Sequence, residues 1–350
     1  MSQYLKSKLL EYITRRILTN CGFSSVLSDG LYIYDRNPLQ MINGKGAAHD
    51  ADVLMNPPIQ MPFTYPIRII FECKAYLNTR KIGLNIVRNA LGFRNDINDF
   101  EIITEDFLRW RQNNRRMILA VSDRKRHYYQ VGISTLFDFS KPSLEFAANN
   151  KIPLLSMSEL FAGTNLAETI DSIPSNIEDL IGQIMYNSII REFSIKNIAN
   201  INFDTIREIC EENEILSQCY EIIDSVVNDV YVGLLESGEI LFIKKDSNEN
   251  DILSNNQNHF LTATIHWSER ERERWWFNFN ETETRYYFYL PREIARAWKG
   301  FNDVRTGALD IKEQNFARFF IFNKGNSNQN LPFKMVTLDI QWLNEMASDL

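Results

Sequence analysis

Two carboxylates and a lysine lie where they could carry out chemistry. Glu72, Cys73 and Lys74 fall near the end of the segment PIRIIFECKAY, whose apolar first part predicts a buried strand. Side chains two residues apart on a strand share a face, so Glu72 and Lys74 would point into the same cleft. Asp52 lies twenty residues before Glu72, and the proline-containing connection between them allows a neighbouring strand.

The residue types in this set suit metal-assisted hydrolysis of a phosphodiester. Carboxylate and carbonyl oxygens are the ligands that Mg²⁺ prefers in proteins. Asp52, Glu72 and the backbone carbonyl of Cys73 could hold one or two Mg²⁺ ions, with Mn²⁺ as a substitute. Lys74 could orient a water nucleophile or stabilise the charge that develops on the phosphate.

A Glu-x-Lys sequence is also a common surface ion pair, so the pattern needs support from its surroundings. A basic and apolar helix, from Lys81 to Arg94, follows the strand, and further helices and strands follow that helix. Asp50 is a second candidate for the upstream acidic residue. We favour Asp52 for its place relative to the strand. We expect the extended segment to turn Asp50 away, which predicts a structural role for Asp50.

The elements that would position these residues alternate between helices and short apolar strands. Apolar residues at helical spacing predict an amphipathic helix over residues 4–19. Helices that alternate with buried strands indicate an α/β layer structure with parallel strands. The other predicted elements are strands at 31–35, 51–55, 66–76, 117–122 and 152–156, a glycine-containing turn at 43–50, and helices at 82–97 and 140–150.

Residues 5–157 resemble the PD-(D/E)XK nucleases, in the restriction-endonuclease-like group related to archaeal Holliday junction resolvases and Mrr-type enzymes. The stretches GKGAAHDADVL, FTYPIRIIFECKAY and KIGLNIVRNALGFRNDIND carry the resemblance. The family implies a mixed central sheet flanked by helices and a Mg²⁺-dependent nuclease acting on DNA. It also implies that Asp52 is the motif aspartate and that Glu72 and Lys74 complete the motif.

The resemblance implies a fourth catalytic residue, and this chain departs from the family pattern at one point. Glu11 precedes the Gly22-Phe23 pair by the eleven residues at which resolvase-like members place a site glutamate in the first helix. A solvated helix position is the alternative for Glu11. Relatives often have a His-Gln pair before the aspartate, whereas this chain has His49-Asp50. Asp50 could therefore be mistaken for the motif residue.

Several basic side chains near the motif could contact DNA phosphates. The candidates are His49, Lys81 and Arg88, together with the basic stretches 109–116 and 123–129. Solvated helix faces and loops, or a turn capped by His49, are the alternatives.

The two halves of the chain differ in charge. Residues 1–165 hold 21 basic and 15 acidic residues, whereas the remainder holds 17 basic and 30 acidic ones. The difference predicts a nuclease domain over 1–163 and a second domain over 164–350 with a recognition, regulatory or partner-binding role. The second domain should be helical over 169–230 and α+β afterwards. Its tryptophans and tyrosines, in 275–289, are expected in a core rather than stacked on bases.

Composition limits the remaining possibilities. The chain has no apolar run long enough for a membrane span, and its four cysteines form no CxxC pair, so zinc and disulfide frameworks are not expected. We expect a cytoplasmic endonuclease of restriction or other anti-phage defence. A junction-resolving repair nuclease, a nuclease activated by a partner or signal, and a non-catalytic nucleic-acid-binding module are the alternatives. The chain could also form a homodimer.

Overall fold

The chain folds as a mixed α/β structure, as the alternation of helices and strands predicts. The structure is a computed structural model. It describes residues 2–36, 39–60, 65–77, 80–100, 104–113, 126–197, 200–236, 238–246, 251–255, 258–268, 274–279, 282–290, 312, 316–324, 332–339 and 341.

A five-stranded sheet organises the first half of the chain. Its strand order is β1-β5-β6-β7-β8, with β1, β5 and β6 antiparallel and β6, β7 and β8 parallel. A separate antiparallel sheet contains β2, β3 and β4. The strands are β1 Ser24–Ser25, β2 Ile33–Arg36, β3 Leu39–Asn43, β4 Ala48–Asp50, β5 Val53–Asn56, β6 Ile67–Lys74, β7 Tyr128–Thr135 and β8 Leu154–Ser156.

Helices cover both faces of the five-stranded sheet. Side chains alternate along β6, so Ile69, Phe71 and Cys73 lie in one core with the first helix. Ile70 faces the opposite core, which the second and fourth helices complete. The helices of this half are α1 Ser2–Asn20, α2 Leu84–Asn98, α3 Glu105–Asn113, α4 Lys141–Asn149 and α5 Met157–Leu160.

The second half contains a helical region followed by a closed barrel. The helices are α6 Leu166–Asp171, α7 Ile177–Ile181, α8 Gln183–Phe193, α9 Phe203–Glu211, α10 Glu214–Val227 and, between barrel strands, α11 Ile252–Asn255. The barrel strands are β9 Val230–Leu235, β10 Ile240–Lys245, β11 Phe260–Ser268, β12 Arg274–Phe279, β13 Tyr286–Phe288, β14 Arg318–Phe322 and β15 Phe333–Leu338. Their order around the barrel is β10-β13-β12-β11-β15-β14-β9. Closure is a feature that strand periodicity alone does not predict.

The strand beside β6 differs from the sequence-based expectation. Its parallel neighbour is β7, Tyr128–Thr135, a segment whose sequence pattern predicts no strand. The predicted strand at 117–122 lies outside the described residues, as do parts of both basic stretches. No helix in the described part of the chain is both long and apolar enough to cross a membrane.

Candidate active site

Asp52 lies in the short connection between β4 and β5, beside the end of β6. Val53 pairs with Phe71 in the antiparallel register, so Asp52 comes next to Glu72 where the pairing ends. The Asp52 Oδ2 atom accepts a hydrogen bond from the Cys73 backbone N–H at 2.8 Å. This bond fixes the carboxylate against the strand that carries the Glu-x-Lys sequence.

Glu72 and Lys74 form an ion pair at the end of β6. The Lys74 Nζ atom lies 3.3 Å from Glu72 Oε2, and the two side chains are 30% and 17% exposed. Burial opposes the charged ammonium, but the charges of Glu72 and Asp52 together leave the pKa of Lys74 above its ordinary value. Lys74 therefore remains positively charged between the two carboxylates.

Glu11 approaches the same cluster from helix α1, where it is 3% exposed. Both of its carboxylate oxygens accept hydrogen bonds from Lys8 Nζ, at 2.8 and 3.0 Å. Burial, followed by the nearby charge of Asp52, raises the pKa of Glu11. The structure thus brings Glu11, Asp52, Glu72 and Lys74 to one end of the sheet.

Three further cations border the cluster and were absent from the predicted site: Lys8, Arg15 and Lys196. Arg15 is 2% exposed, and its guanidinium lies 3.8 Å from Glu11 and 3.4 Å from the Asp52 carbonyl oxygen. The Lys196 ammonium reaches the same carbonyl oxygen at 3.5 Å. Lys8 and Arg15 stand three residues before and four residues after Glu11, a helical spacing that could have identified them. No sequence signal connects Lys196 to the site.

Asp50 also belongs to the carboxylate cluster, which corrects the expectation that it faces away. Burial first and the charge of Asp52 second raise the pKa of Asp50, while Lys196, Lys8 and Lys74 oppose that rise. Residues two apart on extended backbone share a face, so the expected opposite orientation was wrong. Between them, Ala51 is fully buried in the core on the other side.

Cys73 is a buried, neutral thiol. Burial, aided by the charges of Asp52 and Glu11, raises the pKa of Cys73 well above its ordinary value. The thiolate is the nucleophilic form of cysteine, so this setting does not suit covalent catalysis by sulfur.

The three predicted phosphate contacts have partners away from the carboxylates. His49 Nε2 lies 2.7 Å from Asp96 Oδ2, and the imidazole stacks on Phe93 of α2. Lys81 pairs with Asp138 at 3.3 Å. The Arg88 guanidinium lies over the Phe146 ring, 5.8 Å from its centroid. The structure does not place these side chains in the carboxylate cluster.

The donor set at this site fits a hard cation by chemical type. Glu11, Asp50, Asp52 and Glu72 supply carboxylates, and the raised pKa of Glu11 indicates that burial and crowding by Asp52 disfavour its charge. A divalent cation would relieve that crowding. In the arrangement described, however, no three His, Cys, Asp or Glu side chains among the described residues are grouped closely enough to hold one ion.

Comparisons with known proteins identify no family for the chain. No protein-family model matches the chain, and no curated protein matches it. The chain is similar to the solved crystal structure of a protein of unknown function, AF1548, with 14% sequence identity and a TM-score of 0.33. That similarity covers 62% of this chain and 98% of the other. At this TM-score it carries no argument about fold or function.

Proposed function

We propose that the chain is a Mg²⁺-dependent nuclease that hydrolyses phosphodiester bonds in DNA, with Glu11, Asp52, Glu72 and Lys74 as its catalytic set. The proposal also includes the fold family of the first half. The β1-β5-β6-β7-β8 sheet, with α1 on one face and α2 and α4 on the other, would be a restriction-endonuclease-like core.

The observation that carries the proposal is the meeting of these residues at the end of β6. Asp52 is hydrogen-bonded to the Glu-x-Lys strand itself, and Lys74 is influenced by the charges of both Asp52 and Glu72. Helix α1 brings Glu11 to the same place from a distant part of the sequence. A solvated surface ion pair would need neither the upstream aspartate nor the buried glutamate.

The chain's own residues have separable tasks in this reaction. Asp52, Glu72 and the Cys73 carbonyl would hold Mg²⁺, and Glu11 would add negative charge beside them. When bound, Mg²⁺ supplies charge that stabilises the developing negative charge on the phosphate. Lys74 keeps its positive charge next to Glu72 and would orient the attacking water or the phosphate oxygen. Arg15 holds the Asp52 backbone in position.

The direct test is cleavage of supercoiled plasmid in Mg²⁺ by the wild-type chain and by Asp52→Asn, Lys74→Gln and Glu145→Gln. Removing a charged group at the site should lower the rate by about 10²- to 10⁴-fold. Glu145 is exposed on α4, so its variant should cleave like the wild type. Equal cleavage by all four proteins would show that Asp52 and Lys74 are not catalytic. A wild type that stays inactive under every activating condition described below would contradict the nuclease function.

A nuclease that is silent until activated is the second candidate. It is favoured by the pairing of Glu11 with Lys8 and of Glu72 with Lys74, which balances charge at the site without a metal. In this case the wild type alone would leave plasmid intact, and addition of a cell extract or a partner protein would restore Lys74-dependent cleavage.

A parallel assay with four-way junctions distinguishes a repair role, because a junction-resolving enzyme would spare linear duplex.

A further inference from the structure

Lys196 comes from the helical region of the second half, yet it lies beside Asp52. The segment that carries Lys196 is fixed on both sides. Arg15 Nη1 of α1 donates to the carbonyl oxygens of Ile195, at 2.9 Å, and Phe193, at 3.3 Å. The Ser25 hydroxyl of β1 donates to the Lys196 carbonyl oxygen at 2.9 Å. The position of the lysine is therefore set by the same elements that build the site.

The Lys196 charge is less compensated than the charges around it. Lys8 donates to both oxygens of Glu11, and Lys74 pairs with Glu72. In the described part of the chain, the Lys196 ammonium makes one long hydrogen bond, 3.5 Å to the Asp52 carbonyl oxygen, and no carboxylate lies within 4.0 Å of it. Two of its three N–H donors are thus available to a ligand.

A phosphodiester bound beside Asp52 and Glu72 needs a cation that these carboxylates do not already engage, and Lys8 and Lys74 are both engaged. An ammonium is a compact charge that suits single phosphate oxygens. Lys196 lies beside Arg15, whose guanidinium reaches the same carbonyl oxygen of Asp52, so two cations meet at this point. The half-buried position also limits the side chain to a ligand that enters the cleft.

We propose that Lys196 is a substrate-binding residue that contacts a non-bridging oxygen of the phosphodiester held at Asp52, Glu72 and Lys74. This inference rests on the proposed nuclease function. It makes the helical region, and not only the first half of the chain, part of the substrate site.

The test measures DNA affinity in Ca²⁺ across a range of salt concentrations for the wild type, Lys196→Gln, Lys196→Arg and Lys141→Gln. Each phosphate contact contributes about 0.9 to the slope of log affinity against log salt for duplex DNA. Lys196→Gln should weaken binding and reduce the slope by about 0.9, and Lys196→Arg should keep the wild-type slope. Lys141 is an exposed lysine at the start of α4 and serves as the control. A wild-type slope for Lys196→Gln would overturn the inference.

A second measurement on the unmutated chain guards against a variant that fails to fold. Saturating plasmid in Ca²⁺ should slow acetylation of Lys196 at least several-fold and leave Lys141 unchanged. Equal reactivity of Lys196 with and without DNA would overturn the inference. A different result would contradict the proposed nuclease function alone. In that case DNA would bind and protect Lys196, but the protein would not cleave it in Mg²⁺.

Discussion

At the scale of single residues, the candidate site balances carboxylates against cations, and Glu11 and Arg15 are its most buried members. Asp52 lies close enough to influence both Glu11 and Asp50, and Lys8, Arg15, Lys74 and Lys196 offset these carboxylates. Removing one partner of such a set costs more than the pair contributes, because the remaining charge is left buried and unpaired. For any substitution in this set, both the activity and the stability of the variant should therefore be measured.

Asp96 provides a residue-scale prediction about the loop that leads to Asp50 and Asp52. Its carboxylate accepts a hydrogen bond from the Gly46 N–H at 2.7 Å and contacts His49 at the same distance. The bond with His49 is the largest cause that lowers the pKa of Asp96. A lowered carboxyl pKa stabilises the fold above the ordinary aspartate pKa, and that stabilisation is lost as the pH falls through the folded-state pKa.

Asp96→Asn should therefore lower the free energy of unfolding at pH 7 by about 1 kcal/mol, the contribution of a typical hydrogen bond. The difference from wild type should shrink below about pH 4, where aspartate becomes protonated. Urea unfolding at pH 7 and pH 3 measures both values. Asp99→Asn, an exposed aspartate just beyond α2, is the control and should have little effect at either pH. A difference for Asp96→Asn that is the same at both pH values would contradict the assigned role of this carboxylate.

At the scale of elements, the parallel pair of β6 and β7 positions the Glu-x-Lys sequence. Gly132 in β7 lies under the Phe71 ring of β6, where a Cβ atom would stand 2.7 Å from Phe71 Cε1 and 2.8 Å from the Pro153 carbonyl oxygen. Only glycine allows these strands to approach so closely. The β6–β7 register in turn places Glu72 opposite Ile133 and Lys74 opposite Thr135.

Gly132→Ala should destabilise the protein by about 1–3 kcal/mol, because the methyl group overlaps a ring and a backbone carbonyl. Gly92→Ala is a matched control in the middle of α2, where a Cβ atom meets nothing within 4 Å. That exchange should stabilise the protein by about 0.5–1 kcal/mol through helix propensity. Thermal melts of the two variants should move in opposite directions, and a neutral Gly132→Ala would show that the strands are not packed this way.

The sequence predicts elements well where a single segment determines them. The strand at 66–76 and the helix at 82–97 appear as Ile67–Lys74 and Leu84–Asn98, because an apolar run and a helical repeat are local patterns. Strand β7 was missed because the basic run DRKRH comes immediately before its tyrosines, and its glycine and serine weaken the apolar pattern. Position 132 of this strand requires glycine because of Phe71, which lies on another strand.

The site could be predicted only in part for the same reason. Asp52, Glu72 and Lys74 lie in one stretch of sequence, and Glu11 came from the family spacing. Lys196 reaches Asp52 across 144 positions, and Arg15 reaches Ile195 across 180. Such contacts depend on how the helical region packs on α1, which no local pattern encodes.

At the scale of the whole molecule, one apolar core joins the two halves of the chain. Tyr12 of α1 contacts Phe193 of α8 with ring centroids 5.0 Å apart, and Phe71 of β6 contacts Phe242 of β10 at 5.8 Å. The same core extends to Phe322 in the barrel. The division into 1–163 and 164–350 remains a prediction, and the shared core gives a way to test it.

A fragment of residues 1–163 should lack a cooperative thermal transition or aggregate, because α1 loses the partners that bury its apolar residues. Circular dichroism melts of the fragment and of the full chain make the comparison. A sharp transition within a few degrees of that of the full chain would show that the first half is an independent domain.

Binding of a divalent metal by Asp52 and Glu72 is tested most directly by a thermal melt of the wild type and of the Asp52→Asn, Glu72→Gln double variant. The melt is run in EDTA and again in Mg²⁺. At roughly a hundred times its dissociation constant, Mg²⁺ should stabilise the wild type by about 2.7 kcal/mol. The double variant should show no such gain, and in EDTA it should melt at or below the wild type, because Lys74 loses its partner Glu72. Metal-induced stabilisation of the double variant equal to that of the wild type would contradict the account.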